Sequence, residues 1–241
     1  MTSFAEIKHF LRRYASPQKA KVLQSFFKTG RGQYGEGDIF IGVMVPNIRK
    51  TARQFSDLET AGILKLLHSK IHEERLLALL IWAMQYENGE ARHKRRIFDL
   101  YLKNTRWVNN WDLVDLTAPK IVGDFLLDRD KNLLYELAGS DSLWERRIAI
   151  VATFAFIRTG RFNETFAIAR MLLADKADLI HKASGWMLRE VGKREPQAVT
   201  GFLEKYCRVM PRTMLRYAIE RLSQNMRRKY MAAKNRKPTN G

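Results

Sequence analysis

A tryptophan and a carboxylate lie four residues apart in the stretch 109–115. If this stretch is helical, Trp111 and Asp115 lie one turn apart on the same face. Such a pair fits an ordinary core edge with a solvated charge beside it. It also fits chemistry, because a carboxylate stabilises a cation that develops in a transition state and an indole face attracts the same charge. Other features of the sequence are needed to choose between these two interpretations.

The charge of the chain favours a polyanionic partner. Its 241 residues include 43 Lys and Arg against 25 Asp and Glu, which gives a net charge of +18. A positive field of this size attracts nucleic acid first and an anionic membrane surface second. A role in solubility alone is the remaining alternative.

Cysteine and hydropathy patterns indicate a soluble, cytoplasmic protein that contacts no membrane. Cys207 is the one cysteine of the sequence, so an intrachain disulfide and a cysteine-rich zinc site are excluded. The apolar runs 76–84 and 148–157 are too short to span a bilayer, and the first residues lack the apolar core of a secretory signal. His68 and His72 have the spacing of a metal pair without an evident third ligand, so we predict no metal site and no cofactor.

Helical periodicity extends along the chain, and no alternating run of Val, Ile or Thr predicts a strand. The pattern predicts an all-α protein built from short helices, including 143–157, stacked in pairs. Residues 73–78 match residues 145–149 with Arg75 over Arg147, a spacing of 147 − 75 = 72, or twice 36. Such a period is typical of helical-pair solenoids. We predict a single repeat domain over 1–224, followed by a solvated, frayed basic tail over 225–241.

The 36-residue frame brings the unusual residues to one side of the predicted solenoid. Trp111 and Arg147 occupy the frame position, Asp115 follows four residues later, and Trp186 lies three residues beyond Ala183. Offsets of zero, three and four share one helix face, so these side chains are expected to line a concave basic groove. A core position would carry aliphatic residues instead. The frame therefore favours a ligand-binding interpretation.

A carboxylate inside such a groove repels the phosphates of DNA, so it weakens binding if the protein only binds DNA. Two unit charges 4 Å apart interact by about 4 kcal/mol at an effective dielectric constant near 20. Asp115 is better explained if it meets a developing cation, such as the oxocarbenium-like sugar of N-glycosidic hydrolysis. A purine alkylated on N3 or N7 leaves as a cationic base and needs no general acid. One carboxylate is then sufficient.

Residues 30–38 form the least helical part of the chain, with glycines at four of the first eight positions. A loop of this kind either lets a ligand approach the backbone closely or simply turns the chain. The sequence leaves both interpretations open for this glycine loop.

Several segments resemble, in order, the AlkD-type DNA alkylation repair family. They are residues 110–115 (Asn-Trp-Asp-Leu-Val-Asp), 143–147 (Leu-Trp-Glu-Arg-Arg), 182–190 (Lys-Ala-Ser-Gly-Trp-Met-Leu-Arg-Glu) and 211–218 (Pro-Arg-Thr-Met-Leu-Arg-Tyr-Ala). The similarity extends from about Tyr34 to the region of Tyr217. It implies a HEAT-like or armadillo-type solenoid that acts, as a monomer and without a cofactor, on duplex DNA containing alkylated purines.

The resemblance also implies individual roles. Asp115 is the expected catalytic carboxylate, with Trp111 and Trp186 against the deoxyribose of the lesion. Arg147 is the expected contact to the DNA backbone. Arg189 and Tyr34 are two further expected DNA-binding residues, and the lesion need not be flipped out of the duplex. The alternative is a non-catalytic HEAT-like scaffold that binds nucleic acid or protein, in which Asp115 only caps a helix or forms an ion pair.

Overall fold

Helices form almost all regular structure in residues 4–233, the part of the chain that the computed structural model describes. In that part the β pairing is limited to an isolated parallel bridge between Ile39 and Ile71. The all-α prediction is confirmed. The chain divides into two compact units, one ending at Ile121 and the other beginning at Val122.

The first unit is organised around one buried helix, α5. The unit contains α1 (Phe4–Arg12), α2 (Pro17–Phe26), α3 (Val45–Gln54), α4 (Thr60–Leu67), α5 (His72–Asn88), α6 (Ala91–Lys103) and α7 (Trp111–Ala118). Helix α5 packs against α3, α4, α6 and α7. It is apolar on nearly every side after its first turn, as expected of a helix surrounded by others. The four polar residues of its first turn are buried too, and they therefore need partners.

The second unit is organised around α13. A π-helical turn, Pro119–Gly123, precedes α8 (Asp124–Leu126), α9 (Asn132–Ala138), α10 (Leu143–Ala152), α11 (Phe154–Arg158), α12 (Asn163–Met171), α13 (Asp178–Arg194), α14 (Pro196–Tyr206), α15 (Arg212–Ala218) and α16 (Gln224–Ala232). Helix α13 packs against α10, α11, α12, α14 and α15. It lies close to α15 at Gly185, where a Cβ atom would be 2.4 Å from the carbonyl oxygen of Met214.

Two predicted elements differ from the structure. The helix predicted over 143–157 is divided at Thr153, whose hydroxyl donates to the carbonyl of Ile150 at 2.7 Å. The start of the predicted frayed tail is instead helical, because α16 begins after a Ser223 N-cap and buries Tyr230 to 2% exposure. The last part of the predicted tail, residues 234–241, lies outside the described residues.

A polar turn with the same pattern of hydrogen bonds occurs at three places in the chain, and the spacing between them gives the length of the repeat. Ser69, Ser140 and Asp175 each accept the backbone N–H two residues later with a side-chain oxygen, at 3.1, 3.1 and 2.8 Å respectively. Each backbone carbonyl also accepts a hydrogen bond from the side chain six residues later. The spacings are 140 − 69 = 71 and 175 − 140 = 35, which agree to within one residue with two repeats and one repeat of the predicted length.

The same turn corrects the register of the predicted frame. The side chains six residues later are those of Arg75, Arg146 and His181. Arg75 therefore corresponds to Arg146, and its predicted equivalence with Arg147 is wrong by one residue. The match between residues 73–78 and 145–149 depends on residue types alone, whereas the register of the turn is fixed by hydrogen bonds at Ser69 and Ser140.

Two helical glycines of the second unit should respond in opposite ways to alanine. Gly185→Ala places a methyl group against the backbone of α15 and should lower the free energy of unfolding by about 1–3 kcal/mol. Gly201, inside α14, has no atom within 4 Å of the Cβ position. Gly201→Ala should therefore raise that free energy by roughly 0.5–1 kcal/mol. Urea denaturation of both variants measures the difference, and equal effects would contradict the close approach of α13 to α15.

Candidate functional site

Helix α7 places Trp111 and Asp115 on one half-buried face. The helix begins at Trp111, whose backbone N–H donates to the Oδ1 atom of the N-cap residue Asn110 at 2.9 Å. Trp111 and Asp115 are both half-buried. Asp112, one position after Trp111, is only 6% exposed and lies off this face.

Asp115 lies close enough to a buried phenol to act on it electrostatically. Burial raises the pKa of Tyr101, and the charge of Asp115 adds to that rise against a hydrogen bond with Thr117, which lowers it. The hydroxyl groups of Tyr101 and Thr117 are 3.2 Å apart. Tyr101 therefore stays a neutral phenol close to Asp115.

An aromatic stack fixes the ring of Trp111. The ring is stacked on Phe27 at 5.1 Å between centroids and 12° between planes, and it meets the edge of Phe26 at 5.9 Å. Phe27 is in turn stacked on Phe40 at 4.9 Å. Each such pair contributes about 0.5–1.5 kcal/mol beyond its buried area. The indole is therefore held in one orientation and remains partly exposed.

The glycine loop packs against the backbone of the two phenylalanines that contact Trp111. A Cβ atom at Gly35 would lie 2.3 Å from the carbonyl oxygen of Phe27, so only glycine lets the loop approach this closely. The hydroxyl of Tyr34 donates to the carbonyl of Phe26 at 3.4 Å. The loop thus has a packing role for the residues that hold Trp111, and the predicted contact of Tyr34 with DNA stays a prediction.

The loop ends in a buried polar cluster that is not apparent from the sequence. The carboxylate of Asp38 accepts hydrogen bonds from His72 Nδ1 at 3.1 Å, from Arg75 Nη2 at 2.6 Å and from Asn110 Nδ2 at 3.2 Å. On the other side of the imidazole, His72 Nε2 lies 2.8 Å from Asp112 Oδ2. All five residues are at most 6% exposed. We call Asp38, His72, Arg75, Asn110 and Asp112 the Asp38–Asp112 cluster.

Backbone pairing brings the loop to α5. The amide of Ile39 donates to the carbonyl of Lys70 at 3.2 Å, and the amide of His72 donates back to Ile39 at 2.9 Å. The carboxylate of Glu73 then accepts the backbone N–H groups of Gly42 and Val43 at 2.8 and 3.2 Å. The first turn of α5 is polar because it binds this segment.

The charges of the cluster shift its pKa values in opposite directions. Burial alone would raise the pKa of Asp38, but hydrogen bonding to His72 and the charge of Arg75 outweigh it and lower that pKa. Burial alone would lower the pKa of His72, but the charge of Asp112 and hydrogen bonds to Asp112 and Asp38 raise it. These directions favour a charged carboxylate at Asp38 and a charged imidazolium at His72.

In the second unit, Arg147 and Trp186 lie on neighbouring helices. Arg147, on α10, is 5% exposed, and its Nη1 atom donates to the carbonyl of Leu179 in the first turn of α13 at 2.5 Å. Trp186 is half-buried on α13, and its ring nitrogen donates to Glu190 at 3.1 Å. Gly185 and its contact with α15 fix the helix next to this indole.

Arg189 is engaged by two carboxylates. Its Nη1 atom donates to Glu220 Oε2 at 2.5 Å, and its Nη2 atom lies 3.4 Å from Glu190 Oε1. Lys193 also contacts Glu190, at 2.7 Å. Both terminal nitrogens of Arg189 therefore already face carboxylates, and the predicted DNA contact of this residue stays a prediction.

The predicted site residues fall into two sets. Trp111, Asp115 and Tyr34 belong to the first unit, where Trp111 and Tyr34 meet at the backbone and rings of 26–27. Arg147, Trp186 and Arg189 belong to the second, where Trp186 and Arg189 share Glu190. Their roles toward a ligand stay predictions.

Two further properties bear on ligand classes. In residues 4–233, no group of three or more His, Cys, Asp or Glu side chains is arranged to hold a metal ion. None of the helices in that range combines the length and the apolar character that crossing a bilayer requires.

Comparison with known families assigns the chain. The family model of the DNA alkylation repair enzymes matches residues 7–222, which is most of the sequence. The chain therefore belongs to the DNA alkylation repair enzyme family, as its motifs predicted. No curated protein matches the sequence.

Solved structures show the same fold at low sequence identity. A predicted DNA alkylation repair enzyme from Enterococcus faecalis superposes with a TM-score of 0.67 at 16% identity, covering 87% of this chain and 97% of its own. AlkD2 from Streptococcus mutans gives a TM-score of 0.53 at 16% identity, covering 91% and 97%. The protein smu.31 from Streptococcus mutans gives 0.50 at 16% identity, covering 89% and 95%. The fold is that of a helical repeat protein.

Proposed function

We propose that this protein is a monofunctional DNA glycosylase that releases N3- and N7-alkylated purines from duplex DNA. Asp115 is the catalytic carboxylate in this proposal. Trp111 and Trp186 contact the deoxyribose of the lesion, while Arg147, Arg189 and Tyr34 bind the DNA. The family assignment supports a role in alkylation repair, and the glycosylase chemistry is our inference from the residues.

The reaction breaks the bond between C1′ of the sugar and the alkylated base. The base already carries a positive charge, so it leaves with the bonding electron pair as a neutral purine. The sugar becomes an oxocarbenium-like cation, which the carboxylate of Asp115 stabilises. A water oriented by Asp115 adds to C1′ and loses a proton, which gives an abasic site and the free base.

The observation that carries the proposal is the shared half-exposed face of Trp111 and Asp115 on α7. The indole is held by its stack on Phe27, with centroids 5.1 Å apart, before any ligand binds. A preorganised aromatic face beside a carboxylate attracts a cation without the cost of reorganisation. In a DNA-binding surface without chemistry, the same carboxylate would repel the phosphates of the ligand.

A single-turnover assay tests the proposal. Excess protein is mixed with duplex DNA that contains one 7-methylguanine, and the free base is measured by chromatography over time. We expect release well above the spontaneous rate, and none from an unmodified duplex. Salt-sensitive DNA binding without base release would instead identify a non-catalytic scaffold.

A further inference from the structure

We propose that His72 is a positioning residue, held as a doubly protonated imidazolium between Asp38 and Asp112, that fixes Trp111 for its substrate. The protonation of His72 is a property of the free protein. The effect on the reaction rests on the proposed function.

Hydrogen bonding around the ring requires two protons. His72 Nδ1 faces Asp38 Oδ2 at 3.1 Å, and Nε2 faces Asp112 Oδ2 at 2.8 Å. A carboxylate oxygen only accepts hydrogen bonds, so each ring nitrogen has to donate. A neutral imidazole carries one N–H and would leave a nitrogen lone pair against a carboxylate oxygen.

Charge balance gives the same result. Two carboxylates, Asp38 and Asp112, and one guanidinium, Arg75, would leave one unpaired negative charge in a cluster whose members are at most 6% exposed. An unpaired buried charge is strongly disfavoured. A protonated His72 makes the cluster neutral, because two negative charges then meet two positive ones.

The cluster is mechanically connected to Trp111 by two routes. Asp112 is the next residue on α7, and its position sets the start of that helix together with Asn110, which donates to Asp38 at 3.2 Å. The His72 ring also lies in the aromatic stack, 4.5 Å from Phe40 and 5.1 Å from Phe27. Phe27 is the ring on which Trp111 is stacked.

Loss of the proton should therefore loosen Trp111. One of the two His72 hydrogen bonds disappears, and the carboxylates of Asp38 and Asp112 lose the cation between them. The charged groups that face His72 are Asp38 from the end of the glycine loop, Asp112 from α7 and Arg75 from its own helix. Burial lowers the pKa of His72, but the charge of Asp112 and the hydrogen bonds to Asp112 and Asp38 raise it above 6.5, so the ring keeps its proton to a higher pH than a free imidazole does.

The raised pKa of His72 determines how the free energy of unfolding changes with pH. Because the folded-state pKa of His72 lies above the unfolded value, the stabilisation is fully present below the unfolded pKa, near 6.5. It is lost as the pH rises through the folded pKa. The free energy of unfolding of the native protein should therefore fall over this window, and that of His72→Gln should lack this component.

NMR of the full chain without DNA tests protonation and coupling. The nitrogen-15 shifts of His72 should show both ring nitrogens protonated at pH 7, and the indole N–H signal of Trp111 should move with the same midpoint as His72. In Asp112→Asn the midpoint of His72 should fall, because the charge that raises its pKa is gone. One protonated nitrogen at pH 7, or a Trp111 signal that ignores the titration of His72, would overturn the proposal.

A pH profile of base release tests the consequence for activity. His72→Gln should lower the single-turnover rate at neutral pH by about 10- to 100-fold, as a small misplacement of a positioned group does. The ratio of native to variant rates should approach one as the pH rises above the midpoint of His72. This ratio cancels any titration of the substrate itself.

His68→Gln is the matched control, because His68 is exposed and its Nε2 atom bonds to the neutral amide of Asn104 at 2.8 Å. Its rate and pH profile should equal those of the native protein. A rate ratio for His72→Gln that does not change with pH would show a merely structural role and refute the positioning. If native protein releases no base, the proposed function fails, and the NMR titration still decides the state of His72 and its coupling to Trp111.

Discussion

Asp115→Asn should reduce single-turnover release of 7-methylguanine by about 100- to 1,000-fold, the usual effect of removing one preorganised charge-stabilising group. Asparagine keeps the shape of the side chain and removes the negative charge that meets the sugar cation. Affinity for undamaged duplex should be unchanged or slightly higher, because the charge that repels phosphate is gone. Rapid-quench kinetics and binding titrations at one fixed salt concentration measure the two quantities.

The control for this variant is Asp99→Asn. Asp99 lies on α6 of the same unit and forms an i,i+4 pair with Arg95 at 3.0 Å. Its rate should equal that of the native protein. A full rate in Asp115→Asn would remove this carboxylate from the chemistry, even if the native protein were active. A variant that loses base release but keeps its affinity for duplex DNA also distinguishes an enzyme from a binding scaffold.

The local part of the site was predictable from sequence. The spacing of Trp111 and Asp115 predicts that both side chains share one face if the segment is helical, and α7 is such a helix. This feature depends on residues within one or two turns of each other.

The Asp38–Asp112 cluster was not predictable in this way. Its hydrogen bonds join residues 34, 37, 40 and 72 positions apart, and no periodicity relates them. One signal was present: His72 to Arg75 are four polar residues that open an otherwise apolar helix. A helix that is apolar on all sides is buried, so polar residues in its first turn need buried partners. Asp38, at the end of the glycine loop, is one of those partners.

The register of the repeat was also not predictable from the sequence. Arg146 and Arg147 are adjacent, and a letter match cannot tell which one corresponds to Arg75. Hydrogen bonds decide in favour of Arg146, which donates to the carbonyl of Ser140 as Arg75 donates to that of Ser69. Arg146 also pairs with Asp175 at 2.6 Å, as Arg75 pairs with Asp38. Arg75 in the first unit and Arg146 in the second thus have the same structural role, since each bonds to a turn carbonyl and to a carboxylate. Arg147 does not have this role.

Arg75→Met should be among the most destabilising single changes in the first unit. Arg75 is 2% exposed and pairs with Asp38 at 2.6 Å. Methionine fills similar volume but leaves a buried carboxylate without its guanidinium, which should cost about 3–5 kcal/mol. Since natural proteins are stable by only about 5–15 kcal/mol, urea denaturation should show a large shift of the midpoint.

Arg95→Met supplies the comparison, because Arg95 and Asp99 form a pair whose side chains are 65% and 42% exposed. Its loss should cost only about 0.3–0.5 kcal/mol. The double variant Arg75→Met with Asp38→Asn removes the guanidinium and the carboxylate charge together, so it should recover part of the stability lost in Arg75→Met. If the single and double variants were equally unstable, the loss would come from packing around Arg75, and the unpaired charge of Asp38 would not be its cause.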